Sequence, residues 1–146
     1  MLLCPWVDLS CALQTRQADE TGSDAAREEA RRAAALYLAG HPADDPIVSP
    51  LTADLTGLPP MLVQAATGDH VLQEVHELTD HARRLGVDAR LELYPVDTHG
   101  FHIFWSFLPE AADALRQAGR FACDIRAADS TTRALSGTDV EPDIVG

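Results

Sequence analysis

A strand–helix–strand pattern in the middle of the chain constrains its fold more than any other feature. A nearly continuous apolar run from Met61 to Thr67 is typical of a strand that is covered on both faces of a parallel sheet. Apolar residues then recur at helical spacing from about Leu72 to Leu85, and Ala89 to Tyr94 alternates polar with apolar side chains, as a partly exposed strand does. Such a crossover leaves its two strands parallel. The sequence therefore predicts an α/β fold with parallel strands and flanking helices.

Two polar side chains follow the strands of this unit. Asp69 comes directly after the first strand, and His99 lies in the loop after the second. The carboxyl ends of neighbouring parallel strands meet at one edge of the sheet, about 4.8 Å apart, where a carboxylate can orient an imidazole. This spacing alone leaves the role of the pair open, because a turn aspartate and a loop histidine are common.

The rest of the chain adds two helices and a polar tail. We expect one helix over Asp24 to Leu38 with Ser23 as its N-cap, and a last helix from about Pro109 to about Ile125. The segment that follows is rich in Asp, Ser and Thr and poor in apolar residues, as disordered segments are. The sequence thus predicts one domain over residues 1–126 and a disordered tail over residues 127–146.

The charge of the chain limits its partners. Its net charge of −12 gives an acidic surface that repels phosphate backbones, so we expect no nucleic-acid partner. No apolar run approaches the roughly 20 residues that span a bilayer, and the first residues do not resemble a signal peptide. We expect a cytoplasmic protein without membrane contact, whose three cysteines are reduced thiols.

A second hypothesis concerns metal binding by the helix after Asp69. This helix carries Glu74, His76, Glu77, Asp80 and His81, and His70 lies just before it. The two histidines are five residues apart, about 140° around a helix, whereas the zinc-protease pattern needs a spacing of four. We therefore interpret these side chains as a solvated polar face and expect neither a metal site nor a cofactor.

Several short segments resemble the hormone-sensitive-lipase-like esterases and lipases among the α/β-hydrolases. They follow the order of that family and cover about residues 2 to 125. The segments are Leu3-Cys4-Pro5-Trp6-Val7-Asp8-Leu9, Ala35 to Gly40, Asp45 to Leu51, Gly57 to Gln64, Gly68-Asp69 and Thr98-His99-Gly100-Phe101.

The resemblance implies a carboxylic ester hydrolase with the triad order Ser, Asp, His. Asp69 would orient His99, and His99 would act as general base and then as general acid. Phe101 is a candidate for lining the acyl site, and His102 is interpreted as structural. Cys4 occupies a position where the family has serine, and we interpret it as a small buried hydrophobe rather than a thiol nucleophile.

The nucleophile of the family is missing from this chain. None of its six serines has a glycine two residues away on both sides, and there is no His-Gly-Gly-Gly oxyanion segment. The sequence predicts the C-terminal half of a hydrolase, inactive by itself, that acts on a small acyl ester only when it is complemented. The alternative is a non-catalytic interaction module or remnant of the same fold.

A partial sheet also has a consequence for assembly. The edge that would face the missing half exposes unpaired backbone groups and apolar surface. We therefore expect the chain to associate with itself or with a partner polypeptide through this edge.

Overall fold

The computed structural model describes residues 1–13 and 24–136. Within these ranges, three strands alternate with three α-helices, and a short 3₁₀ helix, Phe101–Phe104, precedes the last of them. The strands are β1 (Leu2–Leu3), β2 (Met61–Ala66) and β3 (Ala89–Tyr94), and the helices are α1 (Asp24–Leu38), α2 (Leu72–Arg84) and α3 (Pro109–Ser136).

The sheet is parallel throughout, in the order β1-β2-β3. In the register of the central strand, Val63 lies opposite Leu2 on one side and Leu91 on the other. Strand β2 is buried along nearly its whole length, as its continuous apolar run predicts. The predicted α/β fold with parallel strands and flanking helices is confirmed as a small, open sheet.

Helices α2 and α3 cover opposite faces of this sheet. Val63 and Ala65 of β2 pack with Val75 of α2, whereas Ala66 packs with Ala111 and other residues of α3. The apolar side of α2 is the predicted one, with Val75, Leu78 and Ala82 fully buried. Both faces of β2 are thus covered by packed helices, which fixes the position of the loop that follows the strand.

Strand β3 differs from the simple alternation that its sequence suggests. Tyr94 is buried, although it falls on the polar side of the pattern, and Leu93 is 41% exposed. The Tyr94 hydroxyl donates to Glu92 at 3.1 Å, and its ring packs against Phe101 with centroids 5.3 Å apart. The aromatic ring is therefore covered by the chain that follows the strand, which the periodicity of the strand cannot reveal.

The last helix is longer than predicted. It continues to Ser136 instead of ending near Ile125, so residues 127–136 of the expected disordered tail are helical. The stretch contains Ala127 and Ala128 and no glycine or proline before Gly137, which favours continuation of a helix. Residues 137–146, and the predicted N-cap Ser23 of α1, lie outside the described residues.

Over the described ranges, none of the helices combines the length and the apolar character that crossing a lipid bilayer requires.

Candidate active site

The Asp69 side chain is positioned by the turn that ends β2. Its backbone N–H donates to the Ala66 carbonyl at 3.2 Å, and its Oδ1 accepts the Val71 N–H at 3.2 Å. Only 2% of the residue is exposed. The carboxylate is therefore fixed by backbone contacts at the carboxyl end of the central strand, the edge where ligands bind in open α/β sheets.

His99 approaches this carboxylate from the loop after β3. Its Nδ1 lies 3.0 Å from both Oδ1 and Oδ2 of Asp69, and 43% of its side chain is exposed. The structure thus brings together the two residues that the sequence places at the ends of neighbouring strands. An ionised carboxylate can only accept a hydrogen bond, so Nδ1 is the donor when Asp69 is charged.

The contact shifts the pKa values of both groups. Burial opposes the charged form of Asp69, but hydrogen bonds from His99 and from the Val71 N–H outweigh burial and hold the pKa of the carboxyl below its usual value. The hydrogen bond to Asp69 raises the pKa of His99 above the usual value, against the opposing effect of partial burial. The pair therefore favours an ionised carboxylate next to an imidazole that protonates readily.

Close packing of the two loops makes this contact possible. The Gly68 N–H donates to the Val96 carbonyl at 3.0 Å, and a Cβ atom at position 68 would lie 2.8 Å from the Cα atom of Asp97. A side chain at position 68 would therefore push the loop that carries His99 away. Gly100, directly after His99, has a φ of 63° and turns the chain into the 3₁₀ helix, a conformation that suits glycine.

Two further side chains border the pair. The Cys4 thiol lies against the Asp69 carboxylate and is buried, and burial raises its pKa. His70 Nδ1 lies 3.3 Å from Asp69 Oδ1, and the rings of His70 and His99 have centroids 4.9 Å apart. Burial lowers the pKa of His70 despite the neighbouring carboxylate.

Sequence reasoning places Cys4 correctly as a buried residue but misses its contact with Asp69. It considers His70 only as a neighbour of the polar helix face and not as part of this site. For His70 the signal was adjacency to Asp69. For Cys4, the sequence offers only its place in the segment that resembles the esterase family, where the family has serine. Its contact with Asp69 depends on the pairing of β1 with β2, which the sequence pattern does not reveal.

The other aromatic and histidine candidates lie beneath this site. Phe101 is fully buried and stacks against His102 with ring centroids 4.0 Å apart. His102 Nε2 lies 3.2 Å from Gln64 Oε1, which fits its predicted structural role. Phe101 adds no exposed surface to the site in the part of the chain that the structure describes, and its proposed contact with an acyl group stays a prediction.

The polar face of α2 is only partly solvated, contrary to the prediction. His76, Glu77 and Asp80 are exposed, but Glu74 is fully buried and accepts the N–H groups of Val7 and Asp8 at 2.9 and 2.8 Å. His81 Nε2 lies 2.8 Å from the Ala53 carbonyl. Glu74 therefore anchors the segment after β1 to α2.

Comparison with known proteins agrees with the observed fold. Residues 1–103 match a family described as having the alpha/beta hydrolase fold. The chain is 36% identical over 122 residues to an acetyl-hydrolase of Streptomyces hygroscopicus, a match that covers 82% of this chain and 40% of the relative. The chain thus spans about two fifths of that relative's length.

Solved structures show the same partial coverage. An esterase from the bacterial hormone-sensitive lipase (HSL) family is 36% identical with a TM-score of 0.68, over 82% of this chain and 40% of that one. The esterase EstE5, in a crystal soaked with ethyl alcohol, is 30% identical with a TM-score of 0.75, over 86% of this chain and 43% of that one. The resemblance to hormone-sensitive-lipase-like esterases is confirmed for part of a hydrolase.

Proposed function

The chain belongs to the α/β-hydrolase fold family, and from this membership we propose that it supplies the acid and the base of a Ser–His–Asp triad for carboxylic ester hydrolysis. The observation that carries the proposal is the contact of His99 Nδ1 with both oxygens of the buried Asp69 carboxylate, at 3.0 Å each. This is the arrangement in which a carboxylate holds an imidazole in one tautomer.

Each residue has a separate role in this reaction. With Nδ1 protonated and directed at Asp69, the Nε2 atom of His99 takes the proton of a serine hydroxyl as that oxygen attacks the ester carbonyl. The protonated imidazole then gives this proton to the leaving alcohol, and a water molecule enters by the same route to release the acid. Asp69 keeps its charge throughout and stabilises the imidazolium.

The serine and the oxyanion donors come, in this proposal, from polypeptide outside these 146 residues. The sequence has no Gly-x-Ser-x-Gly elbow, and the matched relatives are more than twice as long as the part that this chain covers. Without the nucleophile, acyl transfer loses most of its acceleration, since removing one triad member costs about 10⁴-fold or more. We therefore expect the chain alone to be inactive on esters.

A fusion protein tests the proposal. The part of the Streptomyces hygroscopicus acetyl-hydrolase that precedes its matched region is joined to this whole chain, and hydrolysis of p-nitrophenyl acetate is measured for the fusion and for the chain alone. We expect hydrolysis by the fusion and none by the chain alone. His99→Ala and Asp69→Asn should lower the activity of the fusion by about 10⁴-fold.

Matched controls separate catalysis from folding. His76 and Asp80 are exposed on α2, and His76→Ala and Asp80→Asn should leave the fusion fully active. A folded, active fusion that is indifferent to His99→Ala would exclude the triad role and favour a non-catalytic module. Hydrolysis by the chain alone that disappears in His99→Ala would show that the nucleophile lies within the chain.

A further inference from the structure

We propose that Cys4, Asp69 and His99 form a binding site for a thiophilic divalent cation such as Zn²⁺. A ligand atom from each of the three residues lies within 4.8 Å of those from the other two. Tetrahedral zinc has bonds of about 2.0–2.3 Å, so its ligand atoms lie about 3.5 Å from one another. The longest distance between two ligand atoms of this cluster therefore has to shorten by roughly an ångström when the ion binds. The proposal does not depend on the proposed ester hydrolysis.

The thiol is held in place by the backbone. The Cys4 N–H donates to the Gln64 carbonyl at 2.7 Å, and its φ of 44° lies in the left-handed region, which is unusual for a residue with a side chain. Such backbone strain persists only where the surrounding structure enforces it, and it concentrates at functional sites. Here it accompanies a side chain, on the residue directly after edge strand β1, that lies against the carboxylate at the end of β2.

The chemistry of the donors favours zinc over hard cations. A thiolate, an imidazole and a carboxylate are all ordinary zinc ligands, whereas Mg²⁺ and Ca²⁺ take oxygen ligands almost exclusively. Binding replaces the thiol proton of Cys4 by a sulfur–metal bond and releases that proton to solvent. Three protein ligands would leave one position of a tetrahedral site for water.

Occupation of this site would change what His99 can do. The ion would take the place of the proton that His99 Nδ1 shares with Asp69, and that proton would move to Nε2 of the neutral imidazole. Nε2 could then no longer accept a proton, and the imidazole would no longer be oriented by a hydrogen bond to the carboxylate. The site can therefore hold either a proton between Asp69 and His99 or a metal ion bound to Cys4, Asp69 and His99, but not both at once.

Cobalt titration tests the site directly, without an activity assay. The reference protein for this experiment is the Cys123→Ser variant, because the exposed thiol of Cys123 can bind metal by itself. Addition of Co²⁺ should produce a near-ultraviolet thiolate-to-cobalt charge-transfer band that saturates at one equivalent and is abolished by competing Zn²⁺. The band should be absent in Cys4→Ser and present in Cys11→Ser, which alters the other buried thiol.

The remaining ligands are tested by affinity. Mutation of a residue that only hydrogen-bonds to a metal ligand typically lowers metal affinity about 10- to 100-fold. Loss of a direct ligand should cost no less, so His99→Ala and Asp69→Asn should raise the Kd for Co²⁺ at least about tenfold. His76→Ala and Asp80→Asn should leave the Kd unchanged. Any of three results would overturn the proposal. These are no charge-transfer band in the Cys123→Ser reference protein, a band in a folded Cys4→Ser variant, or an unchanged Kd for Co²⁺ in His99→Ala. If Cys4→Ser does not fold, His99→Ala decides the question, because that side chain is partly exposed.

Discussion

Asp69 shows how a single buried carboxylate is kept charged. A carboxyl group that is 2% exposed would by burial alone favour its neutral form. The His99 ring, the Val71 N–H and the Cys4 thiol all contribute hydrogen bonds to the charged form. These donors come from three separate segments of the chain, so the ionisation of Asp69 depends on the sheet that gathers them.

The pKa of His99 is the most direct measure of this contact. Asp69→Asn should lower the pKa of His99, because the hydrogen bond to the charged carboxylate is the main cause of its elevation. NMR titration of the imidazole resonances measures this pKa. The exposed Asp80→Asn serves as the matched control and should have no effect, and an unchanged pKa in Asp69→Asn would contradict the assigned contact.

The same pair makes the folding stability depend on pH. The depressed pKa of Asp69 contributes stability that is present above the ordinary value of 3.8 and is lost as the pH falls through its folded pKa. The raised pKa of His99 contributes stability that is full below 6.5 and is lost as the pH rises through its folded pKa. The coupling energy of an Asp69→Asn, His99→Ala double-mutant cycle, measured by urea unfolding, should therefore be larger at about pH 5.5 than at about pH 9.

Among the elements, the loops after β2 and β3 depend on one glycine. Gly68→Ala places a methyl group against the backbone of Asp97, and we expect a loss of about 1–3 kcal/mol in the free energy of unfolding. Gly119→Ala is the matched control, because Gly119 lies within α3 with nothing near the added atom, and it should gain about 0.5–1 kcal/mol. Urea unfolding of both variants checks this difference, and equal stabilities would show that the two loops are not closely packed.

Helix α2 is tied to the segment after β1 by Glu74. Glu74→Ala removes the acceptor of two buried N–H groups, each of which costs about 1–3 kcal/mol when left unsatisfied. Glu77→Ala removes an exposed carboxylate from the same helix and should change the stability by less than about 0.5 kcal/mol. Chemical denaturation compares the two, and a stability loss in Glu74→Ala no larger than that in Glu77→Ala would argue against the anchor.

At the scale of the whole molecule, we expect the open sheet to govern association. Strand β1 is an edge strand of the described sheet, and Leu3 within it is 40% exposed. We expect a sedimentation mass above the 15.8 kDa of one chain, and Leu3→Lys should shift it toward the monomer, since lysine on an edge strand opposes pairing. Ile47→Lys, an equal change at an 86% exposed loop position, should not do so. A parent chain that sediments as a monomer would exclude association through this edge.

Much of the fold and of the candidate site follows from local patterns in the sequence. The bounds of α1 and of β3 agree with those predicted, and α2 ends one residue earlier than expected. Hydrophobic periodicity reports local backbone geometry, and the crossover rule then places the residues after two parallel strands at one edge. The contact between Asp69 and His99 was predictable for this reason, although the residues are 30 positions apart.

The sequence by itself thus determined the parallel strand–helix–strand unit and the two loops that meet at its edge. Only the tertiary structure decided which neighbours those loops have, because such contacts join segments that no local period connects. Glu74 is buried because it reaches N–H groups 67 and 66 positions away, and Tyr94 is buried because the chain folds back over it. Cys4 joins Asp69 and His99 only through the pairing of β1 with β2, which depends on their register and the packing of both sheet faces.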